Sequence, residues 1–297
     1  MANNDKTLLV TGAGGHLGHR VVELLLESKA GRVIAASRSL EKLKDLEAKG
    51  AELRKADFDD PAGLEKAFAG VDRILIISTD AMDRPGRRLE QHQRAIAAAV
   101  KAGVKYAVYT SIVNPGADNP MKALVEDHRG TEQALAASGL SYTVLRNNWY
   151  AENMLPRLAQ AVASGQLFGA AGHGATCYVT REDCARAAAA ALASSHNGRQ
   201  TLEISGPKAY GHADLASLAS SLINKPVAYV DVPAEGFKAS LLQAGLPGFV
   251  ADLLTGYELA MAQGCMQVQS DAVAWLTGKK PQALDEFLAA NKAALNG

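Results

Sequence analysis

The stretch Val10-Thr11-Gly12-Ala13-Gly14-Gly15-His16-Leu17-Gly18 places four glycines between two apolar runs. Leu8, Leu9 and Val10 read as a short buried strand, and Leu17, Val21, Leu24 and Leu25 recur at helical spacing. A strand that turns sharply into a helix through glycines is suited to holding a dinucleotide pyrophosphate. Gly12 permits the tight turn, Gly15 lets phosphates approach the backbone, and Gly18 lets the helix pack close to the strand. Gly14, His16 and Leu17 complete the loop, and the free N–H groups and positive dipole end of the helix face the anion.

In an open α/β sheet, ligands sit at the carboxyl ends of the strands. Ser37 and Arg38 follow the second strand. A site for NAD carries an acidic residue there, about 20 residues beyond the glycines, to hold the ribose 2′-hydroxyl. An arginine instead clamps a 2′-phosphate, so Arg38 points to NADPH/NADP, with Lys42 adding charge; the competing reading is a solvated surface arginine. Asp57 and Phe58 come after the third strand, placed for the edge and face of an adenine; Asp57 serves equally well to start a turn and cap the next helix. Ser78 and Thr79 end the fourth strand and reach toward the nicotinamide ribose.

A tyrosine with a lysine four residues later is the usual acid of short-chain dehydrogenases. None of the eight tyrosines here has that lysine, so the pair is excluded. Ser111, at the end of the fifth strand, holds a natural substrate-side position. Lys122 reads as an exposed helix start, and His128 as an inward-facing, satisfied histidine. The sixth strand ends in Arg146-Asn147-Asn148-Trp149-Tyr150-Ala151-Glu152-Asn153. Two amides, an indole and a phenol in a row offer a flat acceptor both stacking faces and hydrogen bonds. Asn147 and Tyr150 join Ser111 as candidate catalytic residues, and Asn148, Trp149 and His173 as substrate contacts. The competing reading is that Trp149 and Tyr150 cement two lobes together.

These residues need a scaffold that lines up strand ends. Up to residue 150, strand-like and helix-like segments alternate: Arg32–Ser37, Glu52–Asp57, Asp72–Ser78, Tyr106–Ser111 and Ser141–Arg146 are the later strands. Helices are expected over Leu40–Lys49, Pro61–Phe68, Arg87–Ala102 and Met121–Ala137. The class is therefore α/β, a Rossmann-type doubly wound parallel sheet. Residues 1–150 form the NADP-binding domain. Residues 151–297 form a smaller, mostly helical substrate-binding lobe that includes a short strand at Thr201–Ile204 and is packed against the first.

The 31 basic and 31 acidic residues cancel, which argues against nucleic acid or an anionic membrane surface as partner. No apolar stretch approaches the roughly 18 residues of a membrane span, and nothing resembles a signal peptide, so a cytoplasmic protein is expected. Cys177, Cys184 and Cys265 are too scattered for a metal cluster or disulfide framework. A homodimer is left open.

The chain resembles the NmrA-like atypical short-chain dehydrogenases, and among them the bacterial NAD(P)H:quinone oxidoreductases, with triphenylmethane-dye reductases as relatives. The matching residues are Thr11 to Gly18, Tyr109-Thr110-Ser111, His128 through Glu132, Leu145 to Asn153, and Leu276-Thr277-Gly278-Lys279-Lys280-Pro281. The run from Asn119 to Asp127 departs from the pattern. The resemblance implies NADPH along the strand ends and hydride transfer to a quinone or similar conjugated acceptor. A quinone needs little acid assistance, which fits the missing pair; carbonyls and imines rank below it. Two other readings stand beside the reductase: an NADP(H)-binding sensor without turnover, and, more weakly, an epimerase of the extended group.

Overall fold

In the computed structural model, which describes residues 6–296, Leu8 and Val10 enter one core and Leu9 the core on the opposite face. A strand covered on both sides has no polar face, which is why the first strand reads as an unbroken apolar run. Strands β1 (Thr7–Val10), β2 (Arg32–Ser37), β3 (Glu52–Lys55), β4 (Arg73–Ile76), β5 (Tyr106–Ile112) and β6 (Ser141–Asn147) alternate with α1 (His16–Glu27), α2 (Lys44–Ala48), α3 (Pro61–Phe68), α4 (Arg87–Lys101) and α5 (Lys122–Ala137). The chain continues through α6 (Met154–Ser164), β7 (Gln166–Gly169), β8 (Ala175–Thr176), α7 (Arg181–Ala193) and β9 (Arg199–Ile204). It closes with β10 (Tyr210–Gly211), α8 (His212–Ile223), β11 (Ala228–Asp231), α9 (Ala234–Gln243), α10 (Gly248–Ala262), α11 (Ala272–Thr277) and α12 (Leu284–Ala290).

The main sheet has seven strands in the order β3-β2-β1-β4-β5-β6-β9, all pairings parallel. This is the expected Rossmann-type architecture. Strand order reverses between β1 and β4, so the crevice for a ligand opens at their carboxyl ends, where Val10 pairs with Leu75. One face of the sheet packs on α1, α7 and α11, the other on α3, α4 and α5.

Three expectations are corrected. Thr201–Ile204 is the end of β9, the seventh strand of the main sheet beside β6, and not part of the smaller lobe. The alanine-rich α7 likewise returns to the first domain and packs along α1, its Ala185, Ala187, Ala188 and Ala191 buried. Its thin side chains let it lie close beside α1 and flat on β4, β5 and β6, a tertiary fit that composition does not reveal. The division at residue 150 is thus a boundary in sequence more than in space. β4 also stops at Ile76 rather than Ser78, because the Ile77 and Ser78 N–H groups leave the ladder and donate to the hydroxyls of Thr11 and Thr110.

The smaller lobe holds α6, α8, α9, α10 and α12 around two two-stranded pairings, β7 with β11 and β8 with β10. Trp149 touches both the lobe's own core and a second core that Ile112, Val113, Met121 and Val125 of the sheet domain share with the lobe, which bears out its reading as cement between the two. Among the described residues no helix is long and apolar enough to cross a membrane.

Candidate functional site

The glycine loop builds the site from the backbone outward. Gly12 takes φ +64°, a left-handed conformation that a side chain disfavours. A Cβ on Gly18 would run into the Gly12 carbonyl, so the glycine at that position permits the close approach of α1 to β1. A Cβ on Gly15 would meet only the Gly12 carbonyl, at 3.5 Å, and otherwise open space. Gly15 is the N-cap of α1 and supplies no capping side chain, whereas α3 and α7 are capped by Asp60 and Thr180. The first-turn N–H groups of α1 are therefore left for an outside anion.

A cleft of about 680 Å³ opens from this loop across the strand ends. Gly12, Gly14, Gly15, Ser37, Arg38, Asp57, Phe58, Ser78 and Thr79 all line it. His16, Leu17 and Gly18 are not lining residues: Leu17 and Gly18 are buried in the helix packing, and His16 is exposed. Lys42 lies across the loop, its side chain 3.7 Å from where a Gly14 Cβ would be. Among the described residues neither Arg38 nor Lys42 forms an ion pair, although Arg32, Lys44 and Lys49 nearby all do. Two unneutralised cations beside an uncapped helix end suit a phosphate.

The far wall is firmer than expected. Asp57 Oδ1 accepts from the Asp59 N–H at 3.0 Å, and Asp60, not Asp57, caps α3. Phe58 is 7% exposed and packs roughly perpendicular to His92, so little of its ring is open to a stacking partner. Asp80, Ala81, Asp83, Arg87 and Gln91 also line the cleft and escaped the sequence reading. They come from the loop before α4 and from its first turns. The only signal was the arginine- and glutamine-rich start of that helix.

The cleft stops at the exit of β4. Ser111, Asn147 and Tyr150 lie one and two strands further across the sheet, roughly 5 and 10 Å away at ordinary strand spacing. Ser111 donates to Glu132 at 2.6 Å, and Arg146 grips the same carboxylate through two of its nitrogens while also reaching Glu203. Asn147 donates from Nδ2 to the Tyr150 hydroxyl at 3.2 Å, and its buried Oδ1 has no partner among the described residues. Burial pushes the Tyr150 phenol well up. Asn148 turns inward: Nδ2 donates to the Met266 carbonyl and Oδ1 accepts from the Trp149 N–H. Trp149 stacks on Tyr257, ring centroids 4.1 Å apart. His173 is exposed on the loop after β7 and does not line the cleft. His128 is buried with Nδ1 2.7 Å from the Tyr109 hydroxyl, and Lys122 is an exposed helix start.

A family model described as NAD(P)H-binding matches residues 12–195. Quinone oxidoreductase 2 of Escherichia coli (strain K12) is 36% identical over 280 residues, 94% of this chain and 96% of that protein. The chain belongs to this NAD(P)H-binding family. The crystal structure of the E. coli NADPH-dependent quinone oxidoreductase complexed with NADPH superposes with a TM-score of 0.90 at 34% identity, covering 98% of this chain and 100% of that one. The Citrobacter sp. triphenylmethane reductase complexed with NADP(H) gives 0.88 at 31%, covering 96% and 99%. The protein is an NAD(P)H-dependent oxidoreductase with NADPH as cofactor. The residues present suit that group: the uncapped α1 end and the open face of Gly15 would take the pyrophosphate, Arg38 and Lys42 the 2′-phosphate, and Asp57 and Phe58 would border the adenine.

Proposed function

We propose that this reductase acts on quinones or comparable conjugated acceptors and works without a tyrosine acid. The observation that carries the reading is the state of the polar groups at the β5 and β6 exits. Ser111 is engaged by a carboxylate, and the Tyr150 phenol is raised by burial and tied to Asn147. Burial, with the Arg88 guanidinium nearby, holds the His128 ring neutral. None of these groups readily surrenders a proton near neutral pH.

When bound, NADPH supplies a hydride. An acceptor that takes it without help from a strong acid must form a weakly basic oxyanion, as a quinone does on the way to a hydroquinone. Water can then deliver the remaining proton. The chain's part is positioning: Trp149, fixed against Tyr257, and the amide of Asn147 hold a flat ring at the end of the cleft. The two relatives described above carry names for quinone and dye reduction, and both kinds of acceptor are flat and conjugated.

NADPH oxidation against quinones, triphenylmethane dyes, imines, aldehydes and simple ketones tests this. Quinones are expected to be fastest and simple ketones slowest. Ketones reduced as fast as quinones would mean that an efficient acid is present. Tight NADPH binding with no acceptor turned over would place the protein among nucleotide sensors.

A further inference from the structure

The backbone that leaves β4 is held by side chains from three other parts of the sheet domain. The Ile77 N–H donates to Thr11 Oγ1 at 3.0 Å, and the Ser78 N–H to Thr110 Oγ1 at 2.9 Å. The Thr79 N–H donates to Nε2 of His92 at 3.0 Å, while the Thr79 carbonyl accepts from Arg88 Nε at 2.6 Å. Both of the last two residues stand on α4. Three successive N–H groups are thus removed from the sheet ladder and fixed individually, at the point where the cleft turns from phosphates toward the acceptor end.

The bond to Thr79 also fixes the state of the His92 ring. Nε2 accepts, so the proton sits on Nδ1 and is donated to Thr131 Oγ1 at 2.9 Å, whose own hydrogen goes to the Asp127 carbonyl at 2.7 Å. Protonating Nε2 would set two donors against each other. Burial, with the Arg88 guanidinium beside the ring, pushes His92 down to about 3, so the acceptor persists throughout the neutral range. His92 is fully buried and does not line the cleft. Thr79 does line it, and its Oγ1 is buried with no hydrogen-bond partner among the described residues. A buried hydroxyl without a partner carries a desolvation cost that a ligand can relieve.

We propose that His92 is a positioning residue for the cofactor: without touching the ligand, it holds the Thr79 backbone so that the Thr79 hydroxyl, by a turn about χ1 from its buried setting, meets the nicotinamide-ribose half of NADPH. Arg88 clamps the same residue from its carbonyl side. This rests on the cofactor site, not on the acceptor, so it can be tested in a protein that reduces no quinone.

The experiment measures NADPH dissociation constants by fluorescence titration without acceptor, and hydrogen exchange of the Thr79 amide in the ligand-free protein. His92→Leu removes the acceptor; in His92→Gln, Oε1 takes the place of Nε2. The leucine variant is expected to bind NADPH about tenfold more weakly and to exchange the Thr79 amide faster, with the glutamine variant within about threefold of the parent. Thr79→Val should weaken binding similarly without lowering the melting temperature, because the lost hydroxyl had no partner in the free protein. The double variant His92→Leu/Thr79→Val should bind no worse than either single one. Should His92→Leu fail to fold, Thr131→Val keeps the ring but removes the acceptor of its Nδ1–H, and a rise of about threefold is expected. Unchanged affinity in Thr79→Val, equal losses in the leucine and glutamine variants, or simple additivity in the double variant would each overturn the proposal.

Discussion

The β1–α1 junction and the exit of β6 both present polar groups at strand ends, yet they treat them in opposite ways. At the junction the groups are kept free: the α1 terminus has no cap, and Arg38 and Lys42 have no carboxylate partner among the described residues. At the β5 and β6 exits, the Asn147 Oδ1 apart, they are engaged with the protein itself. Asn148 is bound to Met266, Trp149 lies on Tyr257, Tyr150 is joined to Asn147, and Ser111 is held by Glu132. The first region is an electrostatic receptor, ready for a charged ligand before it arrives. The second, on the proposed function, is the wall against which the acceptor lies, and its own bonds keep it rigid. Damage to the first should appear in cofactor affinity, damage to the second in turnover.

The severest test of that division is Gly15→Val. Gly15 has φ −98° and ψ 162°, a conformation a β-branched residue adopts freely, and its Cβ would meet no backbone closer than 3.5 Å. The fold should survive, while the side chain stands over the α1 terminus and lowers NADPH affinity by on the order of a hundredfold or more. Calorimetric titration beside a melting curve checks both halves. A folded variant that keeps its affinity would reduce the glycine loop to a mere turn. Next in size is Arg38→Ala. Losing a charge-assisted clamp should cost about 1.5–3 kcal/mol of NADPH affinity, or roughly one to two decades. NADH, which lacks the 2′-phosphate, should bind the variant about as well as the parent. Equal losses for both cofactors would show that Arg38 acts on something other than that phosphate.

The two regions were also unequally legible in the sequence. Glycine spacing, an apolar strand before it and a helical repeat after it depend only on neighbours along the chain, so Gly12 to Gly18 could be read directly. The same holds for Arg38, which follows its strand immediately. The engaged state of Ser111 could not be read, because Glu132, Arg146 and Glu203 come from separate elements that only the sheet register brings together. His92 was invisible for the same reason: its role arises from a backbone N–H on another element. β9 was placed in the wrong lobe because a six-residue strand carries no mark of the strand it will pair with.

At the β6 exit the larger expected effect is that of Trp149→Ala. The indole stacks on Tyr257 and touches the smaller lobe's core and the core it shares with the sheet domain, so its loss should reduce stability by about 2–3 kcal/mol as well as open the wall. Quinone turnover should fall by about tenfold or more, on the view that hydride transfer depends on a fixed reacting distance. NADPH affinity should stay within about twofold. Trp149→Phe keeps a stacking face and should recover most of the rate. A Trp149→Ala enzyme that lost cofactor affinity instead would erase the distinction between the two regions.

Tyr150→Phe is expected to have the smallest effect, and it bears most directly on mechanism. The substitution removes only a hydroxyl that accepts from Asn147 Nδ2 at 3.2 Å and leaves the ring under the Arg181 guanidinium. The lost bond is long and links two neutral groups, so a destabilisation of about 0.5–1.5 kcal/mol and a turnover within about threefold of the parent are expected. The pH profile gives the sharper measurement. Burial holds the phenol above its ordinary value of about 10, so it stays protonated and contributes no inflection to kcat between about pH 6 and 9, in either protein. A general acid at this position would behave differently: the phenylalanine enzyme would lose orders of magnitude in kcat, and the loss would be greatest for the acceptors whose reduced oxyanions are most basic. A fall that grows from quinone to dye to ketone would therefore assign the proton to Tyr150. An even, small loss across the acceptors would leave it in the wall beside Trp149.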